Sequence, residues 1–204
     1  VSGLTTVYAM AAGFKHNLAL LYDGTVRAWG SNDHGQLGDG ALIDQSTPVQ
    51  VASLTGVIAI AAGNSTSYAL LTDGTVRAWG LNDYGQLGDG TTADRLTPVQ
   101  VSNLTGITAL AAGNYHCLAL KSDGTVWAWG ANNYGQLGDG TTTNRLEPVK
   151  ISDFTSASAI AAGHFHSLVL KTAGTAWGWG YNSHSQVGNG STTNQTSPVH
   201  GSGF

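Results

Sequence analysis

Shifted by fifty residues, this chain aligns with itself from end to end without a gap. The four copies occupy residues 1–50, 51–100, 101–150 and 151–200 of a single 204-residue repeat domain, and residues 198–204 are a candidate closing strand. Positions identical in all four copies include Gly13, Gly24, Trp29, Gly30, Asn32, Gln36, Gly38, Gly40, Pro48 and Val49. A period of this length is the mark of one supersecondary unit that buries its apolar face only against its neighbours.

Each copy has the same local grammar. Val57–Ala62 (VIAIAA) is a short apolar run closed by Gly63, which reads as a buried strand. Ser67–Thr72 and Thr75–Gly80 read as the second and third strands, joined at Asp73-Gly74. That dipeptide predicts a type I′ hairpin turn. Copy four has Ala173-Gly174 instead, where a different turn is expected. Pro98–Val101 is read as a fourth strand, opening on proline, where a missing ladder donor matters least. The long Gly-rich connection Asn82–Thr97 is either self-packed or functional. No segment shows a helical period. Four short strands per repeat predict an all-β chain of β-propeller blades, each a four-stranded antiparallel sheet. Trp29, Trp79, Trp129 and Trp179 then recur in the packing between blades, each burying roughly 150–250 Å².

Composition narrows function. Charged residues make up only 10% of the chain and the net charge is −4, so no general basic field for nucleic acid exists. No apolar run approaches the ~18 residues of a membrane span. Cys117 is the lone cysteine; its counterparts Asn17, Ser67 and Ser167 mark it as a small strand residue. GxSxG, HExxH and phosphate-loop motifs are missing, and Glu147 is the only glutamate. The expectation is a non-enzyme without cofactor or metal. Localisation stays open.

The pattern AAG-x-x-H-x-LAL-x-x-DGTV-x-AWG-x-N-x-x-GQLGDGTT, legible from Ala111 onward, resembles the regulator-of-chromosome-condensation repeat family, over essentially the whole chain. The resemblance implies a β-propeller with one repeat per blade, usually seven. It also implies action through the faces: as guanine-nucleotide exchange factors, as chromatin binders, or in bacteria as inhibitors and adhesive modules. The regular GQLGDGTT style is most similar to the bacterial members. Four copies fall short of seven. A fragment of a larger ring, a four-bladed ring, and chains that share a ring are all compatible with this count. Val1–Leu4 matches Val51–Leu54, and Ser197–Phe204 supplies a strand that the first copy lacks in front of it. This suits closure by pairing the chain ends. Closure in trans is favoured: a homo-oligomer, for example a dimer making eight blades.

Candidate functional residues are those that vary on the constant scaffold. Two loop regions carry them, after the AAG element and after the AWG element. They hold Phe14, His34, Tyr84, Tyr115, Tyr134, His164, Phe165, Tyr181 and His184, read as candidate contacts for a protein or other macromolecule. Aromatic side chains dominate binding hot spots. In inhibitor-type members of the family the loop after the AAG-like element carries partner contacts, which resembles the first region here. His16, His116 and His166, with Thr66 in copy two, read as structural, as do the four tryptophans. Asp39, Asp89, Asp139 and Asn189 read as turn residues bonding nearby amides. The switch from Arg27 and Arg77 to Trp127 and Trp177 reads as a tolerant outer strand. Alternatives to a binding module are a self-assembling structural unit, an exchange factor for a small GTPase, and a polysaccharide binder.

Overall fold

The computed structural model describes residues 4–151 and 154–201. They form sixteen strands in four antiparallel sheets, each sheet drawn from one repeat. Blade 1 contains β1 (Val7–Ala12), β2 (His16–Leu21), β3 (Val26–Gly30) and β4 (Gln45–Gln50) in sequential order. Blade 2 contains β5 (Val57–Ala62), β6 (Thr66–Leu71), β7 (Val76–Gly80) and β8 (Arg95–Gln100). Blade 3 runs from β9 (Ile107–Ala112) through β10 (His116–Lys121) and β11 (Val126–Gly130) to β12 (Arg145–Lys150). Blade 4 runs from β13 (Ala157–Ala162) through β14 (His166–Lys171) and β15 (Ala176–Gly180) to β16 (Gln195–His200). The inner strands β1, β5, β9 and β13 stand side by side along the axis. This is the propeller architecture expected from the repeat.

Three local readings need correction. Pro98 is the fourth residue of β8, not the first. It is tolerated because β8 is the outer edge strand, where one face of the ladder has no partner to supply. The Asp73-Gly74 connection is not type I′. Gly74 N donates to Leu71 O (3.0 Å) and Leu71 N to Thr75 O (2.9 Å), with positive φ at Gly74 but not at Asp73. That is a three-residue loop, a type I turn with its glycine in the left-handed bulge position. The Asp73 carboxylate accepts from Thr75 N and Oγ, and these bonds hold its pKa below the ordinary range. Ala173-Gly174 makes the same turn, with Gly174 N bonded to Lys171 O (2.9 Å), so the backbone does not depend on the aspartate. As for the chain ends, Ser197–His200 lies in β16, which pairs with β15 of its own blade. Residues 1–3 and 202–204, to which the expected closing strand extends, lie outside the described residues.

The long connection after each third strand is self-packed around a buried asparagine. Asn82 Nδ2 donates to Asp89 Oδ1, Thr91 O and Ala93 O, while its Oδ1 accepts from Leu87 N (2.9 Å). Asn32, Asn132 and Asn182 repeat this hub, all fully buried. Burial tends to raise the Asp89 carboxyl, but bonds from Thr91 and Arg95 outweigh it and the pKa is lowered. Asp139 and Arg145 form the equivalent ion pair.

The apolar core lies between blades. Leu18, Leu20, Val26, Ala28 and Leu37 on the leading face of blade 1 pack against Ala69 and Trp79 on the trailing face of blade 2. The same joint recurs at Trp129 and at Trp179. Each of these indoles donates Nε1–H to a carbonyl of the preceding blade: Trp79 to Gln36 O (2.9 Å), Trp129 to Gln86 O (2.9 Å), Trp179 to Gln136 O (2.8 Å). Glycine is required where the indole arrives, since a Cβ on Gly38 would stand 2.6 Å from Trp79 Nε1.

Candidate interaction face

Antiparallel order sends the β1–β2 turn and the β3–β4 connection to the same end of each blade. Both variable loop regions therefore emerge on one face. Around the axis this face is stitched by backbone bonds at the residue after each AAG element. Phe14 N donates to Asn64 O (3.1 Å), Asn64 N to Asn114 O (3.0 Å), and Asn114 N to His164 O (3.2 Å).

Seven of the nine candidate contact residues meet here. Tyr84, on the long loop of blade 2, stands edge-on to Tyr115, on the first turn of blade 3, with ring centroids 5.4 Å apart. Tyr115 stacks on Phe165 of blade 4 (6.3 Å), and Phe165 meets Tyr134 at 5.2 Å. Tyr134 meets Tyr181 at 4.9 Å, and His164 and His184 flank the run at 4.3 Å from Phe165 and 6.4 Å from Tyr181. The long-loop rings Tyr84 and Tyr134 thus each meet a first-turn ring of the next blade, Tyr115 and Phe165. Tyr134, His164 and His184 are exposed and the others half-buried. Aromatic pairs at such separations contribute about 0.5–1.5 kcal/mol beyond area burial.

The other two candidates stand elsewhere on the face. His34 Nδ1 pairs with Asp94 of the next blade at 2.9 Å. Phe14 is 72% exposed, with the Lys15 ammonium 5.8 Å from its ring. Sequence reading missed Asn64, whose Nδ2 donates to the Tyr115 hydroxyl (3.1 Å) and ties the strip to blade 2. It also missed Asp94. Asn64 stands at the variable offset of Phe14 and His164, whereas Asp94, with Asp44, Asn144 and Asn194, lies farther along the long loop and outside both variable regions.

The repeating histidines sit inside the joints. His16 Nε2 lies 2.9 Å from Ser67 Oγ, and that hydroxyl donates onward to Gln36 O (2.8 Å). Ser67 therefore accepts from His16 Nε2–H. His116, Ser167 and Gln136 repeat the chain of bonds at 3.0 and 2.8 Å. Burial lowers the pKa of His16 to about 4 and of His116 to about 3, so both are neutral at pH 7. Where Thr66 replaces the histidine, Cys117 replaces the serine opposite it. Cys117 is buried, and burial pushes its thiol pKa well up. Among the described residues no group of three or more His, Cys, Asp or Glu side chains is placed to hold a metal ion.

Four radial four-stranded sheets packed by recurrent tryptophans define a β-propeller array. The RCC1-like domain model matches residues 1–202, and the chain belongs to that family. Its structure is similar to yeast RCC1 (Prp20) in complex with Kap60, with a TM-score of 0.87 and 26% identity, covering 98% of this chain and 50% of that one. Human WBSCR16 is similar at a TM-score of 0.85 and 27% identity, covering 95% and 52%. The ultraviolet-B receptor UVR8 of Arabidopsis thaliana is 45% identical over 42 residues, 21% of this chain and 10% of that protein. The chain thus spans about half the length of these structural relatives.

Proposed function

We propose that the chain is a non-catalytic interaction module that holds a protein partner on its aromatic face. The observation that carries this is the continuous run Tyr84–Tyr115–Phe165–Tyr134–Tyr181. The run crosses three blades on loops that vary while the scaffold stays constant. A strip of amphipathic rings supplies apolar contact and hydroxyl hydrogen bonds at little entropic cost. Proteins of similar structure support a protein partner: Prp20 is described bound to Kap60, and with binding properties toward Gsp1p and histones.

The test compares capture of soluble proteins by the immobilised chain with capture by Tyr115→Ala and Phe165→Ala. A contact role predicts loss of a specific partner with melting temperature nearly unchanged. A lowered melting temperature with capture intact assigns the rings to packing alone. Nucleotide release from a small GTPase and binding to a glycan array check the exchange-factor and polysaccharide readings, and the proposal expects neither.

A further inference from the structure

The aromatic strip starts at Tyr84 and runs over blades 2 to 4, and the same face of blades 1 and 2 carries charge. Asp33 and Asp83 follow the buried loop asparagines, and Asp44 and Asp94 close the long loops; all four are exposed. Blades 3 and 4 have Asn133, Ser183, Asn144 and Asn194 at these positions. The whole net charge of −4 lies in residues 1–100, which hold eight aspartates against four lysines and arginines, whereas residues 101–204 hold four acids and four bases.

The fold does not ask for this charge. Asp44 Oδ1 accepts from Asn32 N at 2.7 Å, and Asp94 Oδ1 from Asn82 N at 2.8 Å. Asn144 and Asn194 accept the same bond from Asn132 N and Asn182 N, at 2.8 and 2.9 Å. An amide oxygen does the structural work, so the carboxylates of blades 1 and 2 are an addition to it. Cations close by are few. Arg95 and Arg145 are paired with the buried Asp89 and Asp139, and Lys15 lies over Phe14. Among the described residues the one ion pair made by the four exposed aspartates is that of Asp94 with His34. Beside Asp44, Leu42 and Ile43 are 55% and 68% exposed, where the other copies have threonine or alanine.

We infer that this face takes an extended segment of a partner protein in which lysines or arginines flank one apolar anchor. The anchor sits on the rings of Tyr115 and Phe165, and the cations lie over Asp33, Asp44, Asp83 and Asp94. The inference rests on the aromatic strip being a docking surface and names the chemistry of what docks. Shape argues for an extended segment: the loops of successive blades form one track, acidic at one end and aromatic along the rest, with Asp83 beside Tyr84 at the change. Charge argues for a cationic one, because an acidic partner would set its own charge against these carboxylates. The uncharged loops of blades 3 and 4 fix the direction, since only one end of the track attracts cations. Exposed charges of this kind act mainly on the association rate, and salt screens them over a Debye length of ~10 Å at 0.1 M.

Fluorescence anisotropy of a labelled peptide made of lysine, glycine and a terminal tryptophan tests this, beside a twin with glutamate for lysine. The lysine peptide is expected to bind and the glutamate twin to stay free. Combining Asp33→Asn, Asp44→Asn, Asp83→Asn and Asp94→Asn is expected to weaken binding at least ~10-fold at low salt and to remove most of its salt dependence. The melting temperature is expected to hold, as Asn144 and Asn194 already make the same bonds. A control with Asp23→Asn, Asp73→Asn and Asp123→Asn, in the hairpin turns of the opposite face, is expected to bind as wild type does. A lysine peptide that fails to bind, a glutamate twin that binds as well, or equal losses in the two sets of variants overturns the inference. The strip has its own readout. If the fourfold aspartate variant still captures the protein that Tyr115→Ala loses, the aromatic reading stands and the cationic inference falls. If the aspartate variant loses the lysine peptide while Tyr115→Ala binds it as wild type does, the aromatic reading falls and the charge assignment stands.

Discussion

The Tyr68 hydroxyl donates to the Gln86 carbonyl at 2.8 Å, filling the place that Cys117 leaves empty. At the other internal joints the corresponding carbonyl accepts from an indole and a serine, as Gln36 does from Trp79 and Ser67. Here the serine has become cysteine, and the leucine found at Leu18 and Leu118 has become tyrosine. The two changes compensate across the joint. Tyr68→Phe alone is expected to cost about 1 kcal/mol, the net worth of a buried hydrogen bond. Cys117→Ser alone is expected to destabilise, because its hydroxyl finds the acceptor already taken. In the Tyr68→Phe background the serine gains that acceptor and recovers part of the loss. A urea-denaturation cycle of the four proteins reads the coupling.

Acid weakens the joints through their histidines. The unfolded imidazole takes its proton near pH 6.5, while folded His16 and His116 resist until about pH 4 and about pH 3. In that window the unfolded state binds more protons, so stability rises with pH. It is full above pH 6.5 and is lost as pH falls toward 4, by up to about 1.4 kcal/mol per pH unit for each histidine. The lowered carboxyls of Asp89 and Asp139 add their loss only near and below the ordinary 3.8. Unfolding free energies at pH 7 and pH 5 check this, and replacing both histidines by asparagine is expected to flatten the difference.

Asn82 holds its loop from inside. Removing its amide strands the buried Leu87 N–H and takes the donor from the partly buried bonds to the Thr91 and Ala93 carbonyls. Asn82→Ala is expected to cost on the order of 2 kcal/mol, mostly from the buried Leu87 N–H left without its acceptor. The strip is expected to loosen with it, because Tyr84 is carried on the same loop. Thermal unfolding together with tyrosine fluorescence reads both effects.

Ser185 adopts φ +59°, where the other blades have Gly35, Gly85 and Gly135. The left-handed region costs a residue with a Cβ about 1–2 kcal/mol relative to glycine. Ser185→Gly is therefore expected to stabilise the chain by about 1 kcal/mol, and a rise in the urea midpoint with unchanged slope confirms it.

Much of the molecule is written locally, and is therefore legible. Alternation and turn residues mark the strands, and fifty-residue identity makes every blade alike. The recurrence of Trp29 and its counterparts signals a shared joint, because a large apolar ring at a constant offset needs a constant receptor. The position of Pro98 within its strand and the turn at Gly74 are not legible locally, since a strand's extent and a hairpin's type depend on the partner strand as much as on the dipeptide.

The sequence by itself determined the β class, the blade as repeating unit, and the loop offsets at which variation is allowed. Only the tertiary structure decided that Tyr84, Tyr115, Tyr134, Phe165 and Tyr181 form one strip while His34 and Phe14 stand apart. The reason is geometric: rings from different repeats are distant along the chain and meet only because each long loop leans over the first turn of the next blade. The same holds for Tyr68 and Cys117. Their compensation is invisible until Gln86 is seen to offer one carbonyl to both sides of a joint.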